Sequence, residues 1–280
     1  MTTLTATKDH VTPAPLPDTG ASFPTATAQT ARRTLLQFLR TPQLLIMPPV
    51  MAAFFLLIFR YIFGGAIDTG GSASYVDFLV PGFLAQAVLW NGMNAPAGVA
   101  EDSTSGVYDR LRSLPIPRAS VMAGRAFADS ALNTWGLAIT ALLGFAVGFR
   151  THADAASVIV AFALILAVIY SFSWLFISIG LGAGNAQAAQ AMSSLIVVAL
   201  TFVSSAFVPI ASMPGWMQAF AANQPVTVFI NAVRSLMLGG SHAAGVGHTT
   251  SYWVLLSLVW CAGIVTVFGT IAVTRFSRTR

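Results

Sequence analysis

From Leu44 to Val273 the chain is a succession of long apolar runs, and that one feature rejects almost every other architecture. A helix needs about 20 residues to cross the hydrocarbon of a bilayer. Runs of about that length lie at Leu44 to Phe63, Phe78 to Ala100, Phe127 to Phe149, Ser157 to Leu181, Met192 to Val208 and Trp253 to Val273. With no water at membrane depth, such a run must satisfy its own N–H and C=O groups, and a helix does so within one segment. Only 8% of residues are charged and 56% are hydrophobic, whereas about 25% charged is usual in soluble domains. The expected fold class is an all-α integral membrane protein with six transmembrane helices.

The loops between the runs orient the chain. Taken on alternate sides, one side collects Lys8, Arg32, Arg33, Arg40, Arg110, Arg112, Arg118, Arg125, Arg275, Arg278 and Arg280, and the other only Arg60, Arg150 and Arg234. Basic residues accumulate on the cytoplasmic side, so both termini are expected there, in the cell membrane. The net charge of +5 sits beside apolar spans, which points to anionic lipid and away from nucleic acid. Cys261 is the single cysteine, so an intrachain disulfide and a cysteine-based metal site are both excluded.

Between the second and third runs lies a charged island, Glu101 to Arg118, carrying Glu101, Asp102, Asp109, Arg110, Arg112 and Arg118. Each charge at bilayer depth costs about 2.5–3.5 kcal/mol on insertion scales, so the island lies outside the membrane. Val107, Leu111 and Leu114 recur at the i, i+4, i+7 spacing of one helical face. Pro115 and Pro117 end that helix, because proline disfavours the helical state of the residue before it.

Four other stretches depart from simple spans. Residues 1–28, rich in Thr, Ala and Pro, read as a disordered cytoplasmic tail. Arg32-Arg33 before Leu35-Leu36 lacks the cleavage site of an export signal. Gln29 to Leu39 has Leu35, Leu36 and Leu39 on one face and arginines mostly elsewhere, either a helix lying on the membrane surface or the start of the first span. Pro48-Pro49 kinks the first span or delays its start. Pro209 to Thr250 divides at Pro225 into two halves, each too short to cross, and reads as a re-entrant helical hairpin ended by Gly239-Gly240.

The run Glu101-Asp102-x3-Gly106-x2-Asp109-Arg110-x-Arg112-Ser113-Leu114-Pro115-Ile116-x-Arg118 is followed by Phe207-Val208-Pro209-x3-Met213-Pro214-Gly215-Trp216. Asn223-Gln224-Pro225-Val226-Thr227 and Ala232-Val233-Arg234 come next. This order resembles the permease subunit of type-2 ABC exporters, and within it the daunorubicin-resistance (DrrB-like) branch. The resemblance covers nearly everything after the tail. It implies residues 29–280 as a six-span transmembrane domain with an amphipathic helix before the first span. It also implies a cytoplasmic coupling helix after the second span, an external re-entrant hairpin, and pairing with a second copy or a homologous permease.

Gripping ATP through a P-loop requires G-x-x-x-x-G-K-[ST], and the only lysine is Lys8. ATP and Mg are therefore expected on a separate cytoplasmic ATP-binding subunit, with no cofactor on this chain and no enzyme activity of that kind. The island is the expected handle: Val107, Tyr108 and Leu111 filling a groove, Glu101, Asp109, Arg110 and Arg112 fixing orientation, Gly106 allowing close approach and Pro115 ending the helix. Its alternative is a solvated loop. No histidine has a carboxylate or cysteine at metal-ligand spacing, and no catalytic constellation emerges. Asp129 reads as an i, i+4 partner of Arg125 or as a proton relay.

Gln86, Trp90, Asn91 and Asn94 on the second run, with Thr201, Ser204 and Ser205 on the fifth, suit either tight helix packing or a substrate path. The expected function is export of a hydrophobic or amphipathic compound, whether drug, antibiotic or lipid. A proton-coupled secondary exporter and a non-transporting scaffold that binds a cytoplasmic partner remain as alternatives.

Overall fold

The computed structural model describes residues 20–63, 75–206, 210, 213–240 and 247–278. All regular structure among them is helical: α1 Phe23–Leu39, α2 Pro42–Ile58 with a π-helical turn at Phe59–Phe63, α3 Tyr75–Gly92, α4 Ala95–Thr104 and α5 Val107–Arg112. Then follow α6 Arg118–Ala146, α7 Ala155–Gly182, α8 Ala186–Phe202, α9 Gly215–Asn223, α10 Pro225–Met237 and α11 Thr250–Arg278. Three helical segments, Pro42–Ile62, Ala155–Gly182 and Thr250–Arg278, are long and apolar enough to cross a membrane, and Ala186–Phe202 is a shorter apolar helix.

The second apolar run is not one helix. It breaks between Gly92 and Ala95 because Pro96, near the start of α4, has no N–H to give and its ring would strike the carbonyl four residues back, that of Gly92. α2, by contrast, starts at Pro42 and runs through Pro48 and Pro49, so the later start is corrected. Residues 23–28 of the expected tail are helical instead. α1 begins at Phe23, with Pro24 in its first turn, where a missing N–H is harmless. Most of the tail, and Phe207-Val208-Pro209, lie outside the described residues.

α1 is held by small residues. Ala26, Thr27, Thr30 and Thr34 are buried at helical spacing, while Leu36 and Leu39 are exposed. The small face rests on α6 at Gly124, where a Cβ would lie 2.6 Å from the Thr27 carbonyl oxygen and 2.7 Å from the Thr30 Cβ. Gly124→Leu should therefore lift α1 off α6 at a cost of about 1–3 kcal/mol, read as a lower unfolding midpoint and faster amide exchange in α1.

The larger hydrophobic core joins α3, α7 and α10 through Leu79, Leu84, Ile169, Phe172, Phe229 and Val233. α10 is buried along its whole length. Its 13 residues make it roughly 20 Å long, short of the hydrocarbon thickness. α9 beside it leaves Trp216 and Phe220 exposed. Gln224, at the turn between them, donates through Nε2 to the Leu200 and Val203 carbonyls and so satisfies the open C-terminal end of α8. Gly239 and Gly240 both have positive φ and end the hairpin where expected.

Candidate functional site

The island folds as α4, a turn and α5. Gly106 precedes α5 with φ +75°, a left-handed conformation that glycine adopts without a Cβ penalty. The helix is short because it ends at Arg112. Leu114 consequently leaves the expected apolar face and is 51% exposed.

Tyr108 takes the place of Leu114 as the anchor. It is 2% exposed, and its ring meets Phe276 of α11 edge to face at 5.5 Å. Val107 and Leu111 pack half-buried on the same cluster. Tyr108 thus fills a pocket in its own chain, and burial pushes its phenol well above the ordinary tyrosine range, leaving a neutral hydroxyl. Arg112 lies over the Phe276 ring at 4.8 Å, donates through Nε to the Phe276 carbonyl at 2.8 Å and through Nη1 to Asp109 at 2.7 Å. Arg118 donates to the Ser277 carbonyl at 2.9 Å. Two arginines therefore staple α5 and its exit to the end of α11. The face left outward carries Glu101, Asp109, Arg110, Ser113, Leu114 and Pro115.

Behind this face is a charge chain. Arg33 of α1 reaches Asp102 Oδ1 at 3.1 Å, Asp102 Oδ2 meets Arg125 Nη1 at 3.0 Å, and Arg125 Nε meets Asp129 at 3.0 Å. The inner three side chains are 9% exposed or less. Two arginines face two aspartates, so the group is neutral as a whole and ties α1, α4 and α6 together. The i, i+4 pairing of Arg125 with Asp129 is as expected. Asp102 and Arg33 were not singled out in the sequence, although Gly98 and Asp102 repeat the same one-turn spacing. Gly98 makes room for the guanidinium, since a Cβ there would lie 2.9 Å from Arg125 Nη2.

A cavity of about 300 Å³ opens between α2, α3 and α8. Among the described residues its walls are Met47, Met51, Phe55, Phe83, Trp90 and Phe202, with Gln86, Asn91 and Asn94 the only amides and no charged side chain. Phe55 and Trp90 form a tilted ring pair at 5.5 Å. Gln86, Trp90, Asn91 and Asn94 are thus brought together. Thr201 stands behind them: its hydroxyl donates to the Val197 carbonyl and accepts from Gln86 Nε2. Ser204 and Ser205 are elsewhere, at the seam with α10, where Ser205 Oγ pairs with Asn231 Oδ1 at 3.2 Å.

Sequence reasoning also missed Arg234, taken only as an external charge. It is 2% exposed, donates to the Phe78 and Ser205 carbonyls and stacks on Phe78 at 3.7 Å. Guanidinium donors are all directed outward in a planar fork, and here they join α10 to α3 and to the end of α8.

Three membrane-length apolar helices, a cavity between α2, α3 and α8, and a short polar-faced helix stapled to the end of α11 fit a helical membrane protein of the transporter class. The chain belongs to the ABC-2 type transporter family, whose family model matches residues 25–238. It is 31% identical over 237 residues to the daunorubicin resistance ABC transporter permease protein DrrB1 of Streptomyces coeruleorubidus, covering 84% of this chain and 80% of that protein. A probable doxorubicin resistance ABC transporter permease protein, DrrC of Mycobacterium tuberculosis, is 24% identical over 95% of both chains. The inner membrane transport permease YadH of Escherichia coli K12 is 27% identical over 70% of this chain and 76% of its own length. The permeases of ABC transporters depend on a partner ATP-binding subunit for nucleotide.

Proposed function

We propose that this chain is the transmembrane subunit of an ATP-driven exporter that moves a hydrophobic or amphipathic compound out of the cytoplasm. In this reading α2, α3 with α4, α6, α7, α8 and α11 are the six spans, both termini and α5 are cytoplasmic, and α9–α10 is the external re-entrant hairpin. A second copy or a homologous permease completes the transporter, and a separate subunit binds ATP and Mg.

The observation that carries the reading is the staple of α5 to α11. A helix that only decorated a loop would need no such anchoring. A helix that transmits force from an ATPase must be rigid on its inner side and polar outside. Here the inner side is Tyr108 on Phe276, and the Arg33–Asp102–Arg125–Asp129 chain lies directly behind it. In helix-in-groove recognition, Asp109, Arg110 and Leu114 would be read by the partner.

The uncharged aromatic cavity suits a flat polycyclic compound, because aromatic rings stack favourably whereas a desolvated charge would find no partner there. Two relatives are named for daunorubicin and doxorubicin resistance, which makes these the first compounds to try. Trp90→Ala should raise the half-stimulating concentration of such a compound about tenfold, the loss of roughly one aromatic contact, while the ATP-binding subunit still co-purifies.

The test is uptake into inside-out vesicles holding the chain and its ATP-binding subunit, with and without ATP and with an uncoupler. ATP-dependent accumulation that survives the uncoupler is expected. Accumulation that needs the proton gradient and ignores ATP would establish the secondary exporter in its place, and no uptake under any condition would leave the scaffold.

A further inference from the structure

On the outward side of α1 an open groove is lined by Arg32, Arg33, Arg40, Gln37 and Thr41, with Leu36 on its wall. Three guanidinium groups line it, and among the described residues the side chains of Arg32 and Arg40 have no hydrogen-bond or ion-pair partner. Arg33 has one, Asp102, through Nη2 alone. Arg33 is 39% exposed, and a guanidinium carries five N–H donors in a fixed fork, so it retains donors for a second anion. Asp102 cannot serve the whole cluster, because its other oxygen is taken by Arg125. The groove is therefore a site with surplus positive charge.

Its place along the chain says what anion it meets. Arg40 and Thr41 directly precede Pro42, where the first membrane-length apolar segment starts. The groove lies at the level where a bilayer turns from headgroup to hydrocarbon. Leu36 and Leu39, both exposed beside the arginines, give α1 the mixed basic and apolar surface that lies in a membrane interface. An acidic protein surface would match the charge but not the exposed leucines. We propose that the Arg32–Arg33–Arg40 groove binds the phosphodiester of an anionic phospholipid. Arg33 is shared between that phosphate and Asp102, so the bound lipid fastens α1 to the buried charge chain behind α5. The lipid contributes at the groove without entering the transport cavity, and the site does not depend on what the permease carries.

The experiment uses the full chain in nanodiscs of phosphatidylcholine alone or with phosphatidylglycerol, followed by native mass spectrometry of retained lipid and by the unfolding midpoint. Wild type should retain phosphatidylglycerol selectively and unfold at a higher temperature when it is present. Near-surface arginines each strengthen anionic-lipid binding about fivefold, so Arg32→Gln with Arg40→Gln should weaken retention by roughly 25-fold and abolish the thermal increment. The Arg32→Lys, Arg40→Lys chain, which keeps the charge, should hold most of it. Arg33→Gln should lose the increment and also lower the midpoint in phosphatidylcholine, because it breaks the pair with Asp102. A third arm adds inorganic phosphate at millimolar concentration to phosphatidylcholine discs, and no increment is expected. An increment equal to that of phosphatidylglycerol would show a site for free phosphate and overturn the lipid assignment. Equal retention of both lipids, or unchanged retention by the double glutamine chain, would overturn the site itself.

Discussion

Arg125→Leu should be the most damaging single substitution in this chain, at a cost of about 3–5 kcal/mol. Among the described residues Arg125 is the only group that meets both Asp102 and Asp129, and all three side chains are 9% exposed or less. Removing it strands two carboxylates, one with no partner and one sharing the half-exposed Arg33. A stranded buried charge is the expensive case, whereas an apolar replacement for a whole pair is often neutral. The double substitution Arg125→Leu, Asp129→Leu should therefore be more stable than Arg125→Leu alone, although one residue further from the natural sequence. Thermal unfolding of the purified protein in detergent reads both. A double variant as unstable as the single one would mean that the carboxylates are not desolvated, and that the chain of pairs is not what holds α4 to α6.

Leu114→Asp should strip the ATP-binding subunit from the complex and leave the permease folded. Leu114 is the large apolar side chain on the outward face of the island, 51% exposed, so a carboxylate there costs the free chain little. In a partner's groove it would be buried without a counter-charge. The inward residues behave differently. Tyr108→Ala removes the ring that packs on Phe276 and should cost about 3–5 kcal/mol of stability, the range for a buried aromatic. Leu111→Arg, the natural choice from the heptad spacing alone, strikes the same packing and would confuse loss of fold with loss of partner. Co-purification measured alongside the unfolding midpoint separates the two effects. Full retention of the ATP-binding subunit by Leu114→Asp would remove this face from the coupling role.

The island shows how far spacing carries. Charge alone set Glu101 to Arg118 apart from the apolar runs, but Val107 and Leu111, expected with Tyr108 to fill a groove on the ATP-binding subunit, pack instead on the Phe276 cluster of their own chain. Leu114 fitted the same period and failed, because a six-residue helix has no second turn on which to place it. The polar residues of the second and fifth runs divided in the same way. Gln86, Trp90, Asn91 and Asn94 share a cavity because one stretch of α3 and the turn after it present them to α2. Ser204 and Ser205, only a few residues beyond Thr201, lie past the end of α8, where Ser205 bonds to Thr227 and Asn231 of α10 and Ser204 bonds within its own turn.

The sequence by itself determined that this is a helical membrane protein, that its charged segment lies between apolar runs, and that Arg125 and Asp129 pair. Each of these follows from local quantities: the length of an apolar run, the cost of a charge in lipid, one turn of helix. Tertiary structure alone decided that Tyr108 turns inward onto Phe276, that Asp102 joins Arg33 to Arg125, and that Arg234 is buried among carbonyls. These depend on residues 23 to 168 positions apart, and no periodicity within a helix records which side chain will stand across from it. The reason is that membrane helices of similar apolarity can pack in many arrangements, and only close fits such as Gly124 on Thr27 or Gly98 under Arg125 select one of them.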